Sequence, residues 1–123
     1  MKPKIHQVLA TLGYGDAIGH EVLGVRRVLR SAGFESDIFV QTASDPSNIL
    51  IHHFSIGSRA SRIAYAVPDR QILVYHNITP PEFFVNVHEQ LAEQCFKGRR
   101  ELGIYPARVD LALGDSEFNR QEL

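Results

Sequence analysis

Hydrophobic positions along this chain alternate between short compact runs and longer stripes with helical spacing. "KIHQVLA" (4–10), "SDIFVQ" (36–41), "NILIHHF" (48–54), "RQILVYH" (70–76) and "RVDLALG" (108–114) are runs of strand length. The unbroken "ILVY" of the fourth run is the pattern of a strand covered on both faces. Between the first two runs, Ile18, Val22, Val25 and Leu29 recur four, three and four apart and mark one face of a helix. Gly33 then predicts its stop, because glycine takes the left-handed conformation at little cost. Ser58 is the predicted N-cap of a short helix reaching Ala66. In "TPPE", Thr79 and Glu82 have capping-box spacing and Pro80 falls at the first helical position. A helix is therefore predicted from there to Gly103, with Phe84, Val87, Leu91, Cys95 and Leu102 in phase as its core stripe. A last helix begins in "SEFNRQEL".

Strands alternating with helices predict an α/β fold, a Rossmann-like doubly wound parallel sheet of about five strands in a single domain spanning 1–123. Two features predict that this sheet is incomplete. Only about eight residues separate the second and third runs, whereas a parallel crossover takes about a dozen. The last helix has roughly two turns before Leu123.

Charge narrows the function classes. With a net charge of −1 the chain has no electrostatic footprint for nucleic acid or an anionic membrane surface. No run approaches the ~20 apolar residues of a membrane span, and the N-terminus lacks the apolar core of a signal peptide. Cys95 is the sole cysteine, which fits a reducing compartment; the expected location is the cytoplasm. Within its stripe Cys95 reads as a small buried hydrophobe rather than a nucleophile.

In such sheets ligands bind beyond the C-terminal ends of the strands. The loops there are "TLGYGDAIG", "FSIGS", "HNITPPE" and "GDSEFN", all rich in small or polar residues. The glycines of the first, Gly13, Gly15 and Gly19, are spaced G-x-G-x-x-x-G rather than G-x-G-x-x-G. The acid that would hold a ribose at the end of the second strand is replaced by Gln41-Thr42, so a dinucleotide cofactor is disfavoured. A phosphate-binding P-loop is excluded because no Gly-Lys-Ser/Thr occurs. No metal is expected either. His20-Glu21 and His88-Glu89 lack the second histidine of H-E-x-x-H, and His52 and His53, adjacent on a strand, point to opposite faces. There is no Asp-x-Asp and no G-x-S-x-G hydrolase elbow. His76, at the end of the fourth strand, is the candidate with chemistry.

"HQVLATLGYGDAIGHEVLGVRRVLRSAGFESDIFV", "LIHHFSIGS", "VYHNITPPEFF" and "DLALGDSEFNRQEL", taken in series, resemble the N-terminal domain of retaining family 4 glycosyltransferases, bacterial members especially. Those enzymes pair two Rossmann-like domains across a cleft, the GT-B architecture. The resemblance implies transfer of a sugar from a nucleotide-sugar donor to a sugar or glycan acceptor hydroxyl with retained configuration, without a metal or other cofactor. It implies that His76 contacts the donor sugar near the reacting carbon, as the catalytic residue. It places Gly15, Asp16 and Gly19 near the donor, Ser55, Gly57 and Ser58 on the acceptor side, and Ser116, Glu117 and Asn119 at the edge of the cleft. It also implies a C-terminal nucleotide-sugar-binding domain that this sequence does not contain, so the isolated chain is expected to be inactive. The sequence departs from the family in lacking the stretch between the second and third strands, and in carrying His20 where Asn is expected after "GDAIG".

A second expectation is a small Rossmann-like binding or interaction domain without catalysis. An incomplete sheet leaves an open edge and an uncovered apolar face, which invite a homo-oligomer or a complementing domain.

Overall fold

A computed structural model describes residues 4–9, 17–39, 47–57, 59–66, 69–78 and 80–123. The order is β1 (Ile5–Leu9), α1 (Ala17–Ser31), β2 (Ile38–Phe39), β3 (Ile49–Phe54), α2 (Arg59–Ala66), β4 (Arg70–Tyr75), α3 (Glu89–Leu102), α4 (Tyr105–Arg108), β5 (Leu111–Gly114) and α5 (Glu117–Gln121). The strands form one open sheet in the order β2-β1-β3-β4-β5, every pair parallel. The Rossmann-like α/β class is therefore observed. The count of about five is met only in part. Four strands have four to six residues, and β2 is a two-residue pairing at the edge, narrower than the predicted 36–41.

Strand side chains alternate between two faces. On the back face, Val8 and Leu50 pack with Ala64 of α2. Phe54, Leu73 and Tyr75 pack with Cys95 and Leu102 of α3 and Tyr105 of α4. Ser61 Oγ donates to Glu101 Oε2 at 2.8 Å and the Tyr105 hydroxyl to the Ser61 carbonyl at 3.2 Å, tying these three helices together. Gly57 is pressed against α3. A Cβ there would lie 2.5 Å from the Gly98 backbone nitrogen, and the Gly57 N–H donates to the Gln94 carbonyl.

The front face carries α1. Gln7 Nε2 donates to the Val22 carbonyl at 3.0 Å, which seats α1 above β1. Val22 is fully buried, Ile18, Val25 and Leu29 are half-buried, and Gly33 ends the turn at φ 91°, so the predicted stripe and stop are both observed.

The helix predicted to start in "TPPE" starts later. Thr79 lies outside the described residues. Pro81–Phe83 make only a short 3-10 turn, and α3 begins at Glu89, capped by His88, whose Nδ1 accepts from the Leu91 N–H at 3.1 Å. Pro80 is held extended (ψ 134°) ahead of Pro81, and Asn86 sits at φ 66°, a left-handed residue that no α-helix continues through. Val87 is accordingly 81% exposed, while Leu91, Cys95 and Leu102 keep their core role. The sequence pattern does not predict helix α4, Tyr105–Arg108. Cys95 is a free, buried thiol whose pKa burial pushes up.

Candidate functional site

The C-terminal ends of β3, β4 and β5 are where the front face turns polar. The parallel register sets Leu9, His53, Val74 and Leu113 in one row across the front face. One step beyond it come His76 and Asp115. Backbone bonds carry the sheet pattern past the strands: the His76 N–H donates to the Phe54 carbonyl at 3.0 Å, and the Asp115 N–H to the Tyr75 carbonyl at 3.3 Å. After His76 the chain turns sharply at Asn77, φ 78°, and the turn is clamped by the Ile78 N–H donating to the Tyr75 hydroxyl at 3.1 Å. That hydroxyl donates to Glu122 Oε2 at 2.7 Å; burial, then this bond, pushes its pKa up to about 12.

A line of side chains runs from α1 across three strands. Because Gln7 Nε2 donates to the Val22 carbonyl, its Oε1 is the end that faces His53 and accepts from His53 Nε2, at 2.8 Å. Burial, followed by the nearby His76, holds the His53 pKa down to about 4. A neutral ring with its proton on Nε2 presents Nδ1 as an acceptor, and His76 Nε2 donates to it at 2.9 Å. His76 Nδ1 meets Asp115 Oδ2 at 3.0 Å and Glu21 Oε2 at 3.6 Å. Carboxylates only accept, so His76 Nδ1 is the donor toward Asp115. The ring also lies over His53, with centroids 5.2 Å apart. Only 3% of the His76 side chain is exposed, against 35% for Asp115 and 44% for Glu21. The imidazole is the floor of the site, and the two carboxylates are the groups that meet solvent.

The other candidate residues divide. Asn119 is buried beside the cluster, and its side-chain amide donates to Asp115 Oδ1. Ser116 caps α5, accepting from the Asn119 N–H at 3.1 Å. Glu117 points away, bound to Arg120, a contact that lowers its pKa. Ser55 is half-buried at the end of β3, and Gly19 is buried within α1. The contact with Gly98 accounts for a glycine at position 57. Gly15, Asp16 and Ser58 lie outside the described residues. Among the described residues no three His, Cys, Asp or Glu side chains group as metal ligands, and no helix is long and apolar enough to cross a membrane.

The cluster thus holds four residues that motif spacing passed over: Gln7, Glu21, His53 and Asp115. The signal was present as polar residues inside strands whose neighbours are apolar, "HQV" and "HHF". As expected, His52 and His53 point to opposite faces. His52 packs on the back face against Phe54 and Tyr105, with its pKa held down to about 3 by burial and then by its histidine neighbours.

Comparison with known protein families, curated proteins and solved structures finds no match to this chain.

Proposed function

We propose that this chain forms one wall of a sugar-transfer site, the N-terminal half of a GT-B-like retaining glycosyltransferase whose donor is a nucleotide sugar. The observation that carries the reading is the His53–His76–Asp115 line at the C-terminal edge of a parallel sheet, with Asp115 and Glu21 turned to solvent. Ligands bind at this edge in open α/β sheets. Paired carboxylates bind sugar hydroxyls well, because each oxygen accepts from an O–H.

In this reading His76 is a positioning residue in the resting chain. Its ring nitrogens are engaged by His53 and the carboxylates, so Asp115 and Glu21 make the first contact with a hydroxyl. Transfer builds positive charge at the anomeric carbon and negative charge on the leaving diphosphate. Preorganised groups stabilise the reaction only if they are aimed at those charges. Fixed carboxylates suit the first. The "LGYGDAIG" loop suits the second, a role that rests on the resemblance alone. Transfer without a metal, the family 4 glycosyltransferase class and the need for a second domain belong to the same proposal.

Ligand-observed NMR with a panel of UDP-, GDP- and ADP-sugars and simple glycosides tests it. The expected result is weak binding, Kd on the order of 1 mM, or about 4 kcal/mol. Asp115→Asn and Glu21→Gln should each weaken it several-fold, with no sugar transfer by the purified chain. Binding unchanged in both variants, or no binding by any member of the panel, would overturn the reading.

A further inference from the structure

We propose that Arg99 of α3 is a positioning residue for the candidate site: with Glu122 and the Tyr75 hydroxyl it locks the left-handed turn at Asn77, and so holds the His76 ring between His53 and Asp115. Arg99 divides its fork. Nη1 donates to Glu122 Oε2 at 2.6 Å and Nη2 to Asn77 Oδ1 at 3.3 Å. The Tyr75 hydroxyl has a single proton, which goes to the same Glu122 oxygen at 2.7 Å rather than to Asn77 Oδ1 at 3.3 Å. Its lone pair receives the Ile78 N–H at 3.1 Å. Asn77 is thus held by its side chain and Ile78 by its backbone, and Glu122 joins the two holders. The reach of Arg99 is set by the residue before it. A Cβ at Gly98 would lie 2.6 Å from the Gly57 nitrogen and 3.1 Å from Ile78 Cδ1, so α3 lies directly against the turns that follow β3 and β4.

Left-handed backbone is disfavoured for a residue with a Cβ, although Asn adopts it more readily than most. Such a residue persists where its surroundings over-determine it, and residues of this kind gather at functional sites. Asn77, at φ 78°, directly follows His76. The sheet holds His76 from the strand side, through its N–H on the Phe54 carbonyl at 3.0 Å. The clamp holds it from the other side, at the next two residues. Stability alone is a weak reason for these contacts. The Arg99 and Glu122 side chains are 30% and 21% exposed, and a partly exposed ion pair contributes little. A planar guanidinium with two fixed partners contributes direction instead. Once the clamp opens, Asn77 relaxes toward negative φ and turns the His76 backbone, which breaks the 2.9 Å contact with His53 and the 3.0 Å contact with Asp115. A helix of the back layer thereby sets an imidazole of the front face. What the site binds rests on the sugar-transfer reading; the placement of His76 does not.

The test is made on the full chain without ligand. Long-range 1H–15N spectra of Arg99→Met and Tyr75→Phe, each checked by its melt, should both show the His76 and His53 ring nitrogens moved from their wild-type positions. The Ile78 amide should exchange with solvent about fivefold faster in both, the loss of roughly one hydrogen bond. Glu122→Ala, at a partly exposed position, gives the same readings should Tyr75→Phe not fold. Leu50→Ala, in the back layer beside Val8 and Ala64, should lower the melting temperature and move neither reading. Ring nitrogens that stay in place in Arg99→Met and in either of the other clamp variants, or that move as far in Leu50→Ala, would overturn the proposal. With no sugar present, failure here leaves the sugar-transfer reading standing, and failure of nucleotide-sugar binding leaves this inference standing.

Discussion

On the back of the sheet Leu50, Phe54, Leu73 and Tyr75 are at most 1% exposed, under α2, α3 and α4; on the front, Leu111 and Leu113 of the last strand stay nearly half exposed beside α1. The same five strands supply both faces, so the difference lies in what the connections deliver. The back carries the packing of the fold. The front carries its polar line, from Gln7 to Asp115, and its open apolar lane. The closed packing and the polar line are thus separated across one layer of backbone, and substitutions on the two faces should behave differently.

The largest contrast is expected at Leu73. Leu73→Ala leaves a cavity in a closed layer and should cost about 4 kcal/mol in a denaturant melt. A loss below about 1 kcal/mol would mean that the back layer is not closed. Gly57→Ala should cost about 3 kcal/mol, since its methyl would press on the α3 backbone; a neutral outcome would show that α3 moves away freely.

Acid should act through the two strand histidines. His53 is held down to about 4 and His52 to about 3, against 6.5 when unfolded. The folded form therefore binds fewer protons between those values. Stability is complete above about pH 6.5 and falls as the pH drops toward 4, by about 3 kcal/mol from His53 alone. His53→Gln, which cannot titrate, should flatten that limb of the pH–stability curve; an unchanged slope would remove His53 from the account. The smallest effect is expected on the open lane, where Leu113→Glu should change stability by less than about 0.5 kcal/mol. A loss of several kcal/mol there would show that the lane is already covered.

The part of the fold that was legible in the sequence is the part set by local pattern. The stripe from Ile18 to Leu29 and Gly33 at its end are observed; the "ILVY" run forms β4, but only Leu73 and Tyr75 on its back face are buried, while Ile72 and Val74 on the front are half-buried rather than covered. The start of α3 was misplaced because two signals competed. Thr79–Glu82 spacing and a proline imitate a helix start, while the tandem Pro80–Pro81 and the left-handed Asn86 defer it to His88. Position 57 looked like a ligand loop because a glycine required by close backbone packing and one required by a ligand read alike in sequence. The candidate site was legible at His76 and at Asn119, which bonds Asp115. Their partners Gln7, Glu21, His53 and Asp115 come from four separate elements, and only the strand order and register bring them together.

Ring-nitrogen NMR of the histidines tests most directly whether the front-face line is ordered as described and meets a ligand. Long-range 1H–15N spectra of the wild-type chain, recorded with and without the nucleotide-sugar panel, should show His53 neutral with its proton on Nε2. The His76 nitrogens should shift when at least one nucleotide sugar is added. A His53 proton on Nδ1, or His76 signals that no member of the panel moves, would contradict the account.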